Sequence, residues 1–352
     1  MYRNKLILVV ISSLILSACG GGSSDEAPAK PQFSSQVSFG DSLSDVGSYK
    51  VGVVAALGGG QFTINSSTGA PTNWTEMTAP QFGLPAPCPA QTGIDDGGTN
   101  VVAVVSNTAC TGYGQGGARV TAPAGIGNKA SVVSPGLALT VPVVTQIANH
   151  LAANGGSFSG DEIVFVMAGA NDVIHLSGLV SGAAITSTVA VGLAQTAATE
   201  LASYVKTEIV GKGAKYVVVM NVPDIGSTPL VTSITNPTLQ AQSKGLFDAL
   251  VSAFNAQLAT DLPDSANVLN VDAFTASGDE VANPAKYNLT NVTDVACGAN
   301  TLGTTSLGCN ALTLAAGASA THLFADDVHP TPYGHALFAT YVLQEMVNKG
   351  WY

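Results

Sequence analysis

The sequence predicts a three-layer α/β/α fold, in which a doubly wound parallel sheet lies between helices in a single domain. Two continuous apolar runs, residues 162–167 (EIVFVM) and 216–220 (YVVVM), are typical of strands buried on both faces. An Ala-rich helical pattern over 186–210 separates them, and strand, helix and strand in this order form a right-handed parallel crossover. The hydrophobic fraction of 46% over 352 residues is sufficient for a sizeable core.

The other elements continue this alternation. A strand is predicted at 35–39, where Val37 and Phe39 alternate with polar residues before the break at Gly40. Helical spacing of apolar residues and a further short apolar run then predict helices over 137–153, 238–259 and 332–348, and a strand over 268–271.

Two long segments, 53–130 and 273–321, are expected to be mostly irregular. They are rich in Gly, Asn, Thr and Pro, and they show few periodic apolar positions. A run at 100–105 in the first segment is the exception, because it has the character of a strand.

The N-terminus has the pattern of a bacterial lipoprotein signal peptide over residues 1–18. Arg3 and Lys5 precede an apolar stretch, 6–16, that is too short to span a bilayer. The stretch ends in Leu-Ser-Ala-Cys, which resembles a lipobox, so Cys19 is expected to be acylated and to anchor the protein in a membrane; ordinary signal cleavage is the alternative.

A flexible tether is predicted at residues 19–33. This segment is rich in Gly, Ser and Pro and has no apolar period. Gly20 follows the cysteine, and similarity to lipoprotein sorting signals favours the outer membrane, facing either the periplasm or the exterior, because no Asp stands there. The folded domain is expected to occupy residues 34–352.

The four remaining cysteines, Cys88, Cys110, Cys297 and Cys309, are an even number in an oxidising compartment and predict two disulfides. Three connectivities are possible. The sequence-local pairing, Cys88 with Cys110 and Cys297 with Cys309, is favoured because each bond would close a Gly-rich loop with little core of its own; free buried thiols are the alternative. No C-x-x-C or H-E-x-x-H pattern occurs, so no metal site is expected.

The charge balance argues against nucleic acid as a partner. The formal net charge is −11 at pH 7, and charged residues make up only 10% of the chain. Phosphate binding needs clustered Lys and Arg, which this composition does not supply.

Ser42 is a candidate nucleophile. It follows the first predicted strand directly, and Gly40 permits a sharp turn that would leave the hydroxyl standing above the sheet. Helix capping is the alternative role of a Ser at such a place. The G-x-S-x-G elbow is absent, because Ser44 occupies the position of its second Gly.

Asp326 and His329 are the candidates for the carboxylate and the imidazole that would activate this serine. A carboxylate three residues before an imidazole lies on the same side of a tight turn, so Asp326 can accept from one ring nitrogen of His329 while the other faces a serine. Asp327 is the alternative partner, but a spacing of two points its carboxylate away from the imidazole. An isolated motif of this kind also fits a solvated acidic loop. The other histidines, His150, His175, His322 and His335, are interpreted as structural.

Five sequence blocks occur in an order that resembles the SGNH/GDSL hydrolase family. The blocks are FGDSLSD at 39–45, GYGQGGARV at 112–120, GAND at 169–172, NVPDIGSTP at 221–229 and DDVHPTPYGH at 326–335. The resemblance implies a flavodoxin-like sheet and an esterase or lipase. By matching position it implies Ser42 as nucleophile, His329 as base and Asp326 as its partner.

The same resemblance implies an oxyanion hole made by the backbone N–H of Ser42, the N–H of a glycine in the second block and the side-chain amide of Asn171. Gly117 is preferred over Gly116 for the glycine. Tyr113 or Gly114 stands where many members carry an Asn or Ala before the glycine pair. This departure affects the choice of the glycine more than any other assignment. Asp45 and Asp172 are expected to cap helices or brace these loops.

The function expected is hydrolysis of small-molecule or lipid carboxylic esters through an acyl-enzyme, by a monomer that needs no cofactor. Two alternatives remain open from the sequence. One is an acyltransferase that passes the acyl group to an alcohol. The other is a non-catalytic surface lipoprotein that retains the fold.

Overall fold

The computed structural model describes residues 30–352. The predicted signal peptide, Cys19 and most of the predicted tether lie outside the described residues. Phe33, at the end of that predicted tether, is buried and packs edge-on against the rings of Phe82 and Tyr216. Phe33 is therefore packed into the folded domain.

Four parallel strands form the central sheet, in the spatial order β1-β4-β5-β6, while β2 with β3 and β7 with β8 form two small pairs. The strands are β1 Gln36–Gly40, β2 Gln91–Asp95, β3 Val101–Ser106, β4 Ile163–Met167, β5 Tyr216–Met220, β6 Val268–Val271, β7 Asn291–Val295 and β8 His322–Phe324.

The α-helices of the described chain are α1 Gly52–Ala56, α2 Trp74–Thr78, α3 Val143–Ala153, α4 Ala170–Ser181, α5 Ser187–Tyr204, α6 Pro229–Thr232, α7 Pro237–Asp261, α8 Ala273–Ala282 and α9 Pro332–Lys349. None of them is both long and apolar enough to cross a membrane.

Alternate side chains of the buried strands enter two separate cores, because successive residues of a strand point to opposite faces. On one face, Val164 and Val217 pack with α5 and α7, whose contributions include Leu201 and Phe254. On the other face, the remaining strand side chains pack with Trp74 of α2 and with α9. Helices therefore cover both faces of a parallel sheet, and the predicted three-layer α/β/α fold is confirmed.

The outer edge of β1 is extended by a short parallel pairing with the segment around Gly112. Ser38 N–H donates to Thr111 O at 3.0 Å, and Tyr113 N–H donates to Ser38 O at 2.8 Å. With this segment included, the chain steps outward from β1 on one side and then returns to build the sheet on the other side. This is the order of a flavodoxin-like sheet, and its topological switch point lies between β1 and β4, where such sheets bind ligands.

Helix boundaries differ from the prediction where proline or glycine intervenes. The helix predicted over 137–153 begins only at Val143, because Pro142 disfavours the helical conformation of the residue before it. The pattern over 186–210 ends as α-helix at Tyr204 and continues as a π-helical turn and a 3₁₀ turn before Gly213, whose φ is +111°.

The segments expected to be irregular contain more regular structure than predicted. The first holds α1, α2 and β2 besides the predicted strand, and the second holds α8 and β7, with β8 directly after it. α8 follows Asp272, whose carboxylate accepts from Thr275 N–H at the helix start. α4, directly after β4, was also not predicted.

Both disulfides have the predicted sequence-local pairing: Cys88 with Cys110 and Cys297 with Cys309. The first bond lies at the base of the β2–β3 hairpin. The second closes the loop that precedes β8.

Candidate active site

Ser42 lies on a tight turn at the carboxyl end of β1. Gly40 ends the strand so close to β4 that a Cβ atom on it would lie 2.2 Å from Met167 O, so only glycine fits there. Asp41 then caps a 3₁₀ turn, Ser42–Ser44, by accepting from Leu43 N–H at 3.1 Å. The turn brings the Ser42 hydroxyl into the cleft at the switch point.

Ser42, His329 and Asp326, the predicted triad, meet in the structure, although 287 positions separate the serine from the histidine. His329 Nε2 lies 2.8 Å from Ser42 Oγ. His329 Nδ1 lies 2.7 Å from Asp326 Oδ1 and 2.9 Å from Asp326 Oδ2. Both ring nitrogens are thus engaged, one by the carboxylate and one by the hydroxyl.

Backbone N–H groups hold the Asp326 carboxylate in place. Oδ1 accepts from Val328 N–H at 3.1 Å and from His329 N–H at 2.9 Å, and Oδ2 accepts from Ser306 N–H at 2.7 Å. Burial disfavours the charged carboxylate, but the adjacent His329 and the Ser306 N–H outweigh this and hold the pKa of Asp326 well below its usual range. Asp326 is therefore ionised wherever the protein is folded at ordinary pH.

The His329 imidazole is packed as well as hydrogen-bonded. The Phe62 ring lies on it with a centroid distance of 4.9 Å. Burial disfavours protonation of the ring, but the negative charge and hydrogen bond of Asp326 dominate, with a smaller contribution from Asp41, and raise the pKa of His329.

Asp327, the alternative partner, does not contact the imidazole nitrogens. Its backbone carbonyl accepts from Leu230 N–H at 2.9 Å, and its side chain lines the cleft. Burial and the neighbouring Asp326 raise the pKa of Asp327.

The two glycines of the second block have different environments. Gly116 N–H donates to Asp45 Oδ2 at 2.9 Å and is therefore already used. Gly117 lines the cleft, and within residues 30–352 its N–H donates to no other group. Its φ is +77°, and a Cβ on it would lie 1.8 Å from Ile126 O, so this position requires glycine.

Asn171 lies in the first turn of α4 and also lines the cleft. One N–H of its amide donates to Ala118 O at 3.1 Å, which leaves the second N–H for a ligand. The next residue, Asp172, accepts from Arg119 Nε and from Val120 N–H, both at 2.9 Å. Asp172 thus braces the second block from α4, as Asp45 braces it from the serine turn.

These groups open onto a cleft of about 610 Å³ with mainly apolar walls. Apolar side chains come from several loops, including Leu43, Phe62, Ile126, Val133, Ile174 and Leu302. Among the lining residues the charged side chains are those of Asp41, Asp326, Asp327 and, when protonated, His329; no Lys or Arg is among them.

The other histidines do not take part in the hydrogen-bond chain to the serine. His150 stacks on Phe158 at a centroid distance of 4.5 Å, and burial lowers the pKa of His150 to about 4. None of the remaining three bonds to Ser42 in the described part of the chain; they are His175, His322 and His335. Within this same part, no three His, Cys, Asp or Glu side chains are grouped as a metal site would require.

Two contributions to the site were not predicted, the Ser306 N–H on Asp326 and the Phe62 ring on His329. Both residues lie in segments without periodicity, and neither a backbone N–H nor a single Phe carries a sequence signal. The pairing of Cys297 with Cys309, which encloses Ser306, is the one feature that could have drawn attention to that loop.

Comparison with known proteins gives one family match and several similar solved structures. The family described as GDSL-like lipase/acylhydrolase matches residues 37–342. No curated protein matches significantly. Similar solved structures include LAE5, an alpha/beta hydrolase enzyme from the metagenome of Lake Arreo, Spain. The two chains are 13% identical, the match covers 91% of this chain and 97% of LAE5, and the TM-score is 0.42. Another is Axe2, an acetylxylan esterase from Geobacillus stearothermophilus, with 15% identity, coverage of 90% and 96%, and a TM-score of 0.36.

The family match spans the chain from β1 to α9 and so includes every group described in the cleft. The chain therefore belongs to the GDSL-like lipase/acylhydrolase family and is an ester-hydrolysing enzyme.

Proposed function

We propose that this enzyme hydrolyses carboxylic esters through an acyl-enzyme on Ser42, with His329 as the general base and Asp326 as the group that orients it. The observation that carries the proposal is the continuous hydrogen-bond chain from the Asp326 carboxylate through the imidazole to Ser42 Oγ. A serine hydroxyl is a weak nucleophile until such a base removes its proton.

In the first step, Ser42 Oγ attacks the ester carbonyl carbon while its proton passes to His329 Nε2. The resulting imidazolium is stabilised by Asp326, which stays ionised. The tetrahedral intermediate then collapses, the C–O bond to the alcohol breaks, and the alcohol oxygen takes the proton from Nε2. In the second step, water attacks the acyl carbon while its proton passes to His329 Nε2; the bond from that carbon to Ser42 Oγ then breaks, Oγ takes the proton from Nε2, and the carboxylic acid leaves.

Three donors would stabilise the oxyanion: the N–H groups of Ser42 and Gly117 and the amide of Asn171. Within the described chain neither of the two backbone N–H groups donates elsewhere, and Asn171 keeps one amide N–H unused. Such donors act strongly because they are already oriented before the charge develops. The Asp45 bond to Gly116 N–H supports the choice of Gly117.

The test is kinetic and chemical. Ser42→Ala should abolish hydrolysis of p-nitrophenyl butyrate, and a fluorophosphonate should label the wild-type protein on Ser42 but not label the variant. Ser44→Ala is the matched control, because it removes a hydroxyl from the same turn. Unchanged turnover by Ser42→Ala would contradict the proposal, and absence of labelling in a folded wild type would favour a binding protein. Product analysis with and without an added alcohol separates hydrolysis from acyl transfer.

We further propose that the protein is a monomeric lipoprotein anchored through Cys19 in the bacterial outer membrane. The lipobox-like Leu-Ser-Ala-Cys supports the anchor, and the two paired disulfides suit an oxidising compartment. In the source bacterium, Cys19→Ser should prevent incorporation of a labelled fatty acid and release the protein from the membrane fraction. Size-exclusion chromatography with light scattering on the protein lacking residues 1–19 tests the monomer.

A further inference from the structure

The charges around the cleft are unbalanced. Its acidic side chains are those of Asp41, Asp326 and Asp327, and no Lys or Arg is among the residues that line it. Arg119, which belongs to the second block, is already bound to the Asp172 carboxylate at 2.9 Å. A substrate in this cleft therefore meets acidic groups without a basic side chain to balance them.

The three carboxylates are not equivalent. Asp326 is compensated by His329 and by three backbone N–H groups. Asp41 is fully buried, and burial raises its pKa to about 7, so its charge is partly neutralised near neutral pH. Asp327 is the exposed member of the three, and within the described residues its carboxylate is bonded to no donor. It is the carboxylate that a substrate can contact.

The position of Asp327 relates it to the alcohol part of an ester. His329 must deliver its proton to the leaving alcohol oxygen, so the alcohol lies on the histidine side of Ser42, whereas the carbonyl oxygen faces Gly117 and Asn171. Asp327 is two residues from His329, and its carbonyl is tied to Leu230 N–H at 2.9 Å. This bond holds the backbone of Asp327 at the cleft, which Leu230 also lines.

We infer that Asp327 is a specificity-determining residue that makes the enzyme prefer esters whose alcohol part carries a positive charge over neutral esters of the same shape, and disfavour anionic ones. The inference rests on the proposed function. The cationic group would approach the Asp327 carboxylate during binding, while the apolar walls contact the acyl chain. One partly screened charge of this kind changes kcat/KM by about threefold to tenfold, mostly through KM.

The test compares two isosteric esters, butyrylcholine and 3,3-dimethylbutyl butyrate, which differ in one positive charge. Wild type should give a higher kcat/KM for the choline ester, and the preference should fall as salt is added, because salt screens exposed charges. An ester of butyrate with 3-hydroxypropanesulfonate should be the poorest substrate. Asp327→Asn should bring the ratio of kcat/KM for the first two esters close to one, mainly through a higher KM for the choline ester, and Asp327→Glu should retain the preference.

Asp264→Asn is the matched control. It removes one negative charge at the opposite, amino-terminal end of the sheet, just before β6, and its remaining oxygen can still accept from Asn270 N–H. The control should keep the wild-type ratio. Equal kcat/KM for the two isosteric esters in wild type, or a ratio that Asp327→Asn leaves unchanged, would overturn the inference while the proposed function stands. Failure to hydrolyse even the neutral ester, together with absence of fluorophosphonate labelling, would overturn both.

Discussion

The Asp45 carboxylate accepts a hydrogen bond of 2.9 Å from the Gly116 N–H. Its other oxygen accepts from the N–H groups of Gly47 and Ser48, at 2.9 and 2.7 Å. A single buried side chain thus ties the serine turn to the second block. Because the Gly116 N–H is bound in this way, the neighbouring Gly117 N–H is the one left to face the cleft.

Asp45→Asn is expected to lower kcat by about tenfold to a hundredfold with little change in KM. In wild type both oxygens of Asp45 accept from backbone N–H groups. In either orientation of the new amide, its NH₂ group replaces one of these oxygens, so at least one backbone N–H loses its acceptor. The second block then shifts relative to Ser42. Steady-state kinetics on p-nitrophenyl butyrate measure the effect, and circular dichroism checks that the fold persists.

Asp96→Asn is the control for that change, since Asp96 makes the same kind of backbone contact in the exposed tip of the β2–β3 hairpin. It should keep wild-type kcat. A similar loss in both variants would show that the Asp45 effect has no connection with the cleft.

Asn171→Ala should lower kcat by about 100- to 1000-fold and leave KM nearly unchanged, because in the proposed mechanism the amide acts on the charge that forms only in the transition state. The variant also loses the bond to Ala118 O, so a thermal melt must accompany the kinetics. Some activity should remain, in contrast to Ser42→Ala. A rise in KM at constant kcat would place Asn171 in ground-state binding instead.

The acid limb of the pH profile should lie above pH 6.5, the ordinary pKa of a histidine. In the proposed mechanism the neutral imidazole is the base, and although burial opposes protonation, Asp326 raises the pKa of His329 in the folded enzyme. kcat/KM therefore falls as pH drops through this raised value. Asp326→Asn should move the limb to lower pH and reduce kcat by about 10⁴-fold. A limb below pH 6.5 in wild type would contradict this assignment.

The disulfide between Cys297 and Cys309 should matter for activity more than the one between Cys88 and Cys110. The first closes the loop that carries Ser306, whose N–H holds the Asp326 carboxylate at 2.7 Å. Replacing both of its cysteines by Ala should reduce kcat by about tenfold, the range set by losing one hydrogen bond to a charged group. The same replacement at the other pair is the control, and equal kcat losses would contradict the argument.

The layers of the fold were predictable because their signals are local. The buried runs that became β4 and β5 are apolar throughout, and proximity of Asp326 to His329 follows from their spacing of three. The contact of His329 with Ser42 was predicted from the resemblance of the five sequence blocks to the SGNH/GDSL family, in agreement with the rule that functional groups of doubly wound sheets gather at the carboxyl ends of the strands. That rule brings together residues far apart in the sequence.

The rest depended on contacts that leave no periodic pattern. α4 follows Gly169 and begins at Ala170; Gly169, Asn171 and Asp172 favour turns, yet packing against α5 and α7 makes the segment helical. Ser306 reaches Asp326 with its backbone, for which any residue type would serve. α8 was obscured by the composition of its surroundings, although Asp272 is a capping signal.

Glu280→Gln should stabilise the protein at neutral and alkaline pH. Glu280 of α8 is buried against a small apolar cavity beside Phe338, and burial, assisted by the neighbouring Asp279, raises its pKa to about 8 from an ordinary value of 4.5. Between these two values the folded protein holds a proton that the unfolded chain releases. The stability that this proton contributes is therefore complete below pH 4.5 and is lost as pH rises to 8. A glutamine is neutral throughout, so the free energy of unfolding of the variant should exceed that of wild type by an amount that grows across this window to about 5 kcal/mol at most, and Tm should rise with it. Glu345→Gln on α9, at a partly exposed carboxylate, is the control and should give a nearly constant difference. If the difference in Tm between wild type and Glu280→Gln already has its maximum value at pH 4, the shape of the side chain, and not the buried charge, causes the difference.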